Sequence, residues 1–361
     1  PGSVAAAKMA VEDFKPETHG FKVEVLSADH QNKADVGSSI VRRWYDTDNV
    51  DAVVDLPTSS VALAVSDITR DKDKVLLVAS AGTSDLTGKA CSPNTVHWTY
   101  DTWALANGTA SAMIKQGGDS WFFLTADYAF GHALQRDASE VVKANGGKVL
   151  GHVLAPFQTA DFSSFILQAQ ASKAKVVALA NSGGDTINSV KQSAEFGLTQ
   201  KQKLVSLLIF LSDIHSLGLK TAQGLMLTNA FYWDLNDGTR AFGKAFGARN
   251  DGRMPTMNQA GTYAATLHWM KAIAAMDKTK ARDGAAVVAE MKAMPTDDKL
   301  FGKGKIRPDG RTIHDMYLWQ VKSPAESKGP YDYLKLVATI PGDEAFRPMA
   351  PDLCPMLKKA H

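Results

Sequence analysis

Ser59 and Ser60 follow the run AVVDLPT, and Thr83 and Ser84 follow Gly82 at the end of KVLLVASA. In both places hydroxyl-bearing residues fall where a short β-branched segment gives way to the first turn of a helix. Helix N-termini leave backbone N–H groups without partners, and aligned peptide dipoles add partial positive charge there. Hydroxyls beside such amides, with a glycine that admits a ligand close to the backbone, can seat a compact anion such as a small carboxylate. The competing reading is local, because Ser and Thr also cap their own helices. Two such loops on consecutive strand–helix units favour the anion seat: neighbouring parallel strands deliver their following loops to the same sheet edge.

Other chemistries find little support. The nine His are scattered, with no HxH or HxxxH pair to begin a metal site. Cys91 precedes Ser92-Pro93 without a helix N-terminus to activate it, and no GxSxG elbow supplies a serine nucleophile. Gly183–Gly184 opens a helical stretch but lacks the GxGxxG spacing of a dinucleotide loop. No catalytic residue, metal or cofactor is therefore expected. Aromatics gather near strand ends: Trp98, Tyr100, Tyr128, Phe130, Phe210, Phe231, Tyr232 and Trp233. Most suit core or hinge packing, while those facing a ligand suit an apolar or aromatic ligand body. Tyr100 and Asp101 sit where the chain leaves a first sheet, to line a cleft or to brace a hinge.

The elements that position these residues alternate between strand and helix, the pattern of a parallel sheet with right-handed crossovers. The chain enters as a helix over PGSVAAAKMAVEDF, with Val4, Ala7, Val11 and Phe14 on one face. FKVEVLSAD then alternates as a strand, DVGSSIVRRWYDTD reads as a helix, and AVVDL, VALAVSDITRD and KVLLVAS continue strand, helix, strand. NTVHWTYDTWALANGTASAMIKQG runs from a loop or short strand into a long helix. The pattern restarts after Gly117–Gly118: SWFFLTAD, KVLGHVLAP, KVVALANSGG, KLVSLLIFLSD and GLMLTNAFYWD are strands, with helices between the first four. From Gly238 to Met294 the text is helical. GKGKIRPDGRTIHDMYLWQVK reads as a hairpin turning at Pro308-Asp309-Gly310, and the Pro-rich tail holds one more strand, YLKLVATI.

Bulk properties narrow the class. A chain of 361 residues exceeds one ordinary core, so two lobes are expected. With 45% hydrophobic and 22% charged residues it has the composition of a soluble globular protein. Forty Lys plus Arg against 38 Asp plus Glu leave a formal charge of +2, and no basic run points to nucleic acid or an anionic membrane. No stretch approaches the roughly 20 apolar residues that span a bilayer. The two cysteines, Cys91 and Cys354, read either as one long-range disulfide or as two inert thiols. A bridge would pin the C-terminal tail to the first lobe and imply an oxidising compartment. A start on a helix, with no Met and no opening strand, reads as a mature or truncated piece whose signal peptide and first strand lie upstream.

In this order and spacing, LPTSSVALA, SAGTSDLT, TADYAFG, DFSSFILQAQASKAKVV, NSGGDTINSVKQSAEFGL and KTAQGLMLTNAFYW resemble the periplasmic solute-binding proteins of ABC importers, of the leucine/isoleucine/valine-binding type. The resemblance covers essentially the whole chain. It implies an α/β fold of two Rossmann-like lobes with parallel central sheets, joined by a three-crossover hinge, with the ligand cleft between them. Lobe one would take 1–117 and 234–310, lobe two 118–233 and 311–345, and a tail 346–361. The function it implies is extracytoplasmic: capture of a small carboxylate (a branched-chain or aromatic amino acid, or an aromatic or keto acid) by lobe closure, and delivery to the membrane subunits of an ABC permease. The expected protein is a periplasmic monomer with no nucleic-acid partner and no membrane span. A ligand-sensing module of the same fold and an α/β enzyme are the alternatives.

The resemblance also assigns ligand-binding residues. From lobe one it carries the carboxylate-binding role onto Ser59, Gly82 and Thr83, with Ser60 and Ser84 beside them; Tyr100 joins the candidates by its position alone. From lobe two it points to Tyr128 or Phe130 at the start of a helix, to Asn181, Ser182 and Asp185 after KVVALA, and to Asp213 after LLIF. Amino-acid binders place a carboxylate in that last loop to meet the ligand's ammonium; Asp213 fits that part or, equally, the cap of its own helix.

Overall fold

A computed structural model describes residues 1–359. In chain order, α1 (Gly2–Phe14) and α2 (Ala34–Asp46) precede β1 (Ala52–Asp55), α3 (Ser59–Asp71), β2 (Val75–Val78) and β3 (Thr95–His97). Then come α4 (Thr102–Lys115), β4 (Ser120–Ala126), α5 (Ala129–Ala144), β5 (Lys148–Ala155), α6 (Ser163–Ala171), β6 (Val176–Ala180), α7 (Gly184–Glu195) and β7 (Lys203–Ser206). Two short helices, α8 (Leu211–Leu217) and α9 (Leu219–Ala222), lead into β8 (Met226–Asn229). Helices α10 (Asp237–Gly247), α11 (Met257–Ala275) and α12 (Gly284–Ala293) are followed by β9 (Thr296–Asp298), β10 (Gly302–Ile306) and β11 (Thr312–Ile313). Strands β12 (Met316–Val321) and β13 (Leu334–Ile340) and helix α13 (Gly342–Ala345) complete the set used below.

Packing divides the chain into two units. The first holds Pro1–Asp101, Phe231–His314 and the C-terminal segment from Pro348; the second holds Thr102–Ala230 and Asp315–Arg347. The sequence reading placed α4 with the first lobe, and here it packs in the second. Gly108 and Thr109 lie against Thr228 of β8; a Cβ on Gly108 would fall 2.3 Å from the Thr228 hydroxyl, and the two threonine hydroxyls are 2.9 Å apart. The C-terminal segment is no separate tail: Cys354 is disulfide-bonded to Cys91 within the first unit, across 263 residues of sequence. The chain thus passes between the units four times, once more than the three passages expected.

In the first unit β1, β2 and β3 form a parallel sheet, with Val53 paired to Leu76 and Leu77 to Val96. The run VLLV of β2 is buried throughout, as a central parallel strand covered on both faces must be. Its core gathers Val41 of α2, Val61 and Val65 of α3, and Leu76, Val78 and Leu86. Helix α11 starts on a capping box, with Thr256 accepting from the Asn258 amide and Gln259 accepting from the Thr256 amide. The hairpin turn at Pro308-Asp309-Gly310 is present, closed by the Gly310 amide on the Arg307 carbonyl at 2.9 Å and continued by antiparallel β10 and β11.

The second unit has a parallel sheet in the order β5-β4-β6-β7 and an antiparallel sheet in the order β13-β12-β8. Helix α5 lies tight against the end of β4 because position 131 is glycine; a Cβ there would meet the Ala126 carbonyl at 1.9 Å. Two sequence expectations are corrected. FKVEVLSAD forms no strand: burial alternates over FKVEV and LSAD is exposed, and the segment has no ladder partner among the described residues. KLVSLLIFLSD is strand only as far as Ser206; residues 207–210 are neither strand nor helix, and LSD is the first turn of α8, where the Asp213 carboxylate accepts from the Phe210 amide.

Candidate functional site

In the first unit the backbone leaves β1 through two consecutive left-handed residues, Asp55 at φ 87° and Leu56 at φ 57°. Neither is glycine, and each such residue costs about 1–3 kcal/mol and persists only where its surroundings enforce it, a kind of strain that clusters at functional sites. The detour delivers Ser59, at the first position of α3, to the neighbouring loop. There its hydroxyl accepts from the Thr83 amide at 3.2 Å. Ser59 and Thr83 are 1% and 0% exposed, Gly82 and Ser84 are buried beside them, and Ser60 is half-buried.

The Ser80–Ser84 loop is held from several directions at once. Asp55 accepts from the Ser80 hydroxyl, and the Tyr100 hydroxyl donates to the Ser80 carbonyl. His97 Nε2 donates to the Ala81 carbonyl at 2.7 Å. Burial, reinforced by the Arg311 guanidinium, holds His97 well below its usual range, so the ring is neutral with its proton on Nε2. Desolvation raises the Asp55 carboxyl, against the lowering effect of hydroxyls from Ser80 and Ser3. Thr83 Oγ1 accepts from the Asp85 amide at 3.3 Å, capping a short 3-10 turn over Ser84–Thr87. Tyr100 therefore braces this loop through its hydroxyl. Behind it, fully buried Arg311 donates to the Tyr100 carbonyl at 2.9 Å and pairs with Asp101 at 3.5 Å.

In the second unit the carboxyl ends of β4 and β6 bring Tyr128, Ser182 and Asp185 together. Tyr128 stands at the N-cap of α5 in extended backbone. Burial pushes its hydroxyl up to about 12, opposed by a hydrogen bond with Ser182 and assisted by the nearby Asp185 charge. Gly183, at φ 60°, turns the chain into α7. Asp185 accepts from the Gln158 amide at 3.2 Å and from the Thr159 amide, while burial raises its carboxyl. The loop after β5 adds Phe157, a half-buried ring whose centroid lies 4.4 Å from that of Tyr128.

Three expected residues are engaged elsewhere in this unit. Phe130 is 3% exposed and points into the core beneath Tyr128. Asn181 is fully buried, accepting from Thr186 at 2.8 Å and donating to Ser189 at 2.9 Å, which fixes the first turns of α7. Asp213 accepts from the Phe210 amide at 2.9 Å, and burial pushes its carboxyl up to about 6. Spacing singled out none of Asp55, Ser80, His97, Phe157 and Arg311, because each acts through a partner distant in sequence. Among the described residues no group of His, Cys, Asp and Glu could hold a metal ion, and no helix is long and apolar enough to cross a membrane.

The family model described as periplasmic binding protein matches residues 1–330. The chain belongs to the periplasmic binding protein family. Among solved structures, a periplasmic binding protein from Burkholderia mallei is 49% identical, with a TM-score of 0.93 over 96% of this chain and 91% of that one. A branched-chain amino acid ABC transporter periplasmic ligand-binding protein from Burkholderia xenovorans is 38% identical, with a TM-score of 0.83 over 96% of this chain and 92% of that one. A solute-binding protein of an ABC transporter from R. palustris, solved with benzoate, shares the fold at 19% identity and a TM-score of 0.82, over 94% of this chain and 91% of that one. A search of curated proteins returns no match. The two-lobe α/β architecture of periplasmic binding proteins is thus the architecture of this chain, and the Ser59–Thr83 and Tyr128–Ser182–Asp185 groups stand at the carboxyl ends of parallel strands, where open α/β sheets bind ligands.

Proposed function

We propose that this periplasmic binding protein captures a small carboxylate outside the cytoplasm and delivers it to the membrane subunits of an ABC permease. The observation that carries the reading is the junction of Ser59 with Thr83, which joins two strand-end loops into one compact cluster of hydroxyls and amides. Such a cluster, at the N-terminus of a 13-residue helix, favours a carboxylate through hydrogen bonds and the helix dipole together. The second lobe contributes Tyr128, Ser182 and Phe157 toward the rest of the solute, and closure of the lobes follows from contacts made only when solute is present. The Cys91–Cys354 disulfide suits an oxidising extracytoplasmic compartment. Binding and release, without chemistry on the solute, make up the activity.

Thermal-shift screening of refolded protein against branched-chain amino acids, aromatic acids and 2-oxo acids tests this reading. At least one carboxylate should raise the midpoint in a concentration-dependent way. A broad panel in which none does would overturn it.

A further inference from the structure

The acidic side chains of the strand-end loops speak to the solute's second functional group. A buried ammonium needs a formal negative charge or a full set of acceptors beside it, because neutral surroundings do not offset its desolvation. The ends of β1 to β7, with the loops and helix starts that follow them, hold seven carboxylates, and each already has partners in its own unit: Asp101 pairs with Arg311 at 3.5 Å, and Asp161 accepts from the Ser163 amide at 2.9 Å. Asp55 accepts from the Ser80 hydroxyl, Asp85 pairs with Lys89 at 3.2 Å, and Asp127 pairs with His132 at 2.9 Å. Asp185 accepts from the Gln158 amide at 3.2 Å, and Asp213 accepts from the Phe210 amide at 2.9 Å. The last two are buried: Asp213 is turned onto the main-chain N–H at the start of α8, as a structural cap is, and Asp185 onto main-chain N–H groups of the loop after β5. What remains at these strand ends is hydroxyls, amides and the Tyr128–Phe157 ring pair. Hydroxyls and amides satisfy a carboxylate, and a further ring can pack against the half-buried Phe157.

We propose that the solute is an aromatic acid carrying no ammonium group. This rests on the carboxylate reading above and narrows it: the second lobe selects a flat apolar body and gives an α-amino group no counter-charge.

Matched acids differing only in the amino group provide the test. Protein is unfolded, dialysed free of retained solute, refolded, and titrated calorimetrically at pH 7 with 3-phenylpropionate, phenylpyruvate, phenylalanine, benzoate, 4-methylpentanoate and leucine. At least one aryl acid without an ammonium should bind ten-fold or more tighter than phenylalanine, and tighter than 4-methylpentanoate. Phenylalanine or leucine binding as tightly as its amino-free partner would overturn the inference and make Asp213 the ammonium's counter-charge, while the carboxylate reading stood. Preference for 4-methylpentanoate over every aryl acid would overturn the aromatic assignment alone. No binding by any of the six, with none in the wider thermal-shift panel, would overturn the carboxylate reading and this inference with it.

Discussion

The Thr83 amide donates to the Ser59 hydroxyl at 3.2 Å, so the loop after the second strand is hydrogen-bonded to the first turn of the helix after the first strand. Both residues are essentially excluded from solvent, and neither loop is a free cap. Ser59→Ala would leave the Thr83 amide without its acceptor, at a cost of about 1–3 kcal/mol. Urea unfolding should show that loss. Calorimetry on Ser59→Ala paired with Thr83→Ala should show every carboxylate weakened by a similar factor, because this lobe holds the group they share. A change in selectivity among carboxylates would assign the recognition to the wrong lobe.

The disulfide closes a loop spanning 263 residues, so its removal releases chain entropy to the unfolded state. The double variant Cys91→Ser, Cys354→Ser should lose about 2–5 kcal/mol of stability, and unreduced wild-type protein should resist alkylation at both thiols. Two freely alkylated cysteines in unreduced protein would contradict the pairing.

Asp213 makes a pH prediction whose sign follows from proton binding. Burial raises its carboxyl to about 6 in the folded state, above its unfolded value, so the folded state binds the extra proton between about pH 4 and pH 6. Ionisation through that window therefore removes stability as pH rises. Asp213→Asn carries no such penalty, and its stability relative to wild type should improve by on the order of 2 kcal/mol between pH 4 and pH 7, measured by urea unfolding at each pH. A wild-type-to-variant difference independent of pH would show that Asp213 titrates normally.

Arg311 is fully buried, with its guanidinium on the Tyr100 and Thr312 carbonyls and beside Asp101. Arg311→Met leaves Asp101 without its buried counter-charge, and the expected loss is about 3–5 kcal/mol. Arg311→Lys should recover little of it, since an ammonium cannot reproduce the planar fork. Full recovery by lysine, read from denaturant midpoints, would reduce the residue's role to charge alone.

Phe157→Ala removes the ring against Tyr128 and should weaken an aryl acid about ten-fold while leaving a short aliphatic acid nearly unchanged. Equal losses for both would make Phe157 a packing residue of its loop.

Much of this architecture was legible in the sequence because it is written in local periodicity. VLLV and VVALA, buried throughout, announce parallel strands, and PTSS and GTS mark the turns after them. What was not legible is relational. FKVEV alternates as a strand does, but a strand exists only with a partner for its backbone groups. SLLIFLSD is apolar enough to continue β7, and only the bond from the Phe210 amide to Asp213 shows where the helix begins. Asp55, His97 and Arg311 carry no motif; each matters through a contact made across the fold. Asn181 looks like a strand-end ligand residue until its two hydrogen bonds to α7 are seen. Helix α4 packs in the second unit through Gly108 and Thr109 against Thr228 and through Thr102 on Asp137, contacts that no hydrophobic pattern records.

The central claim is recognition of a carboxylate by the Ser59–Thr83 cluster, and it is tested most directly by neutralising that one group. The tightest acid from the titration panel should be compared calorimetrically with its primary amide, on stripped and refolded protein at pH 7. The account predicts that the acid binds at least 100-fold more tightly than the amide, and that the gap narrows by ten-fold or more in the Ser59→Ala, Thr83→Ala variant. An amide that binds wild-type protein as tightly as the acid would contradict the account.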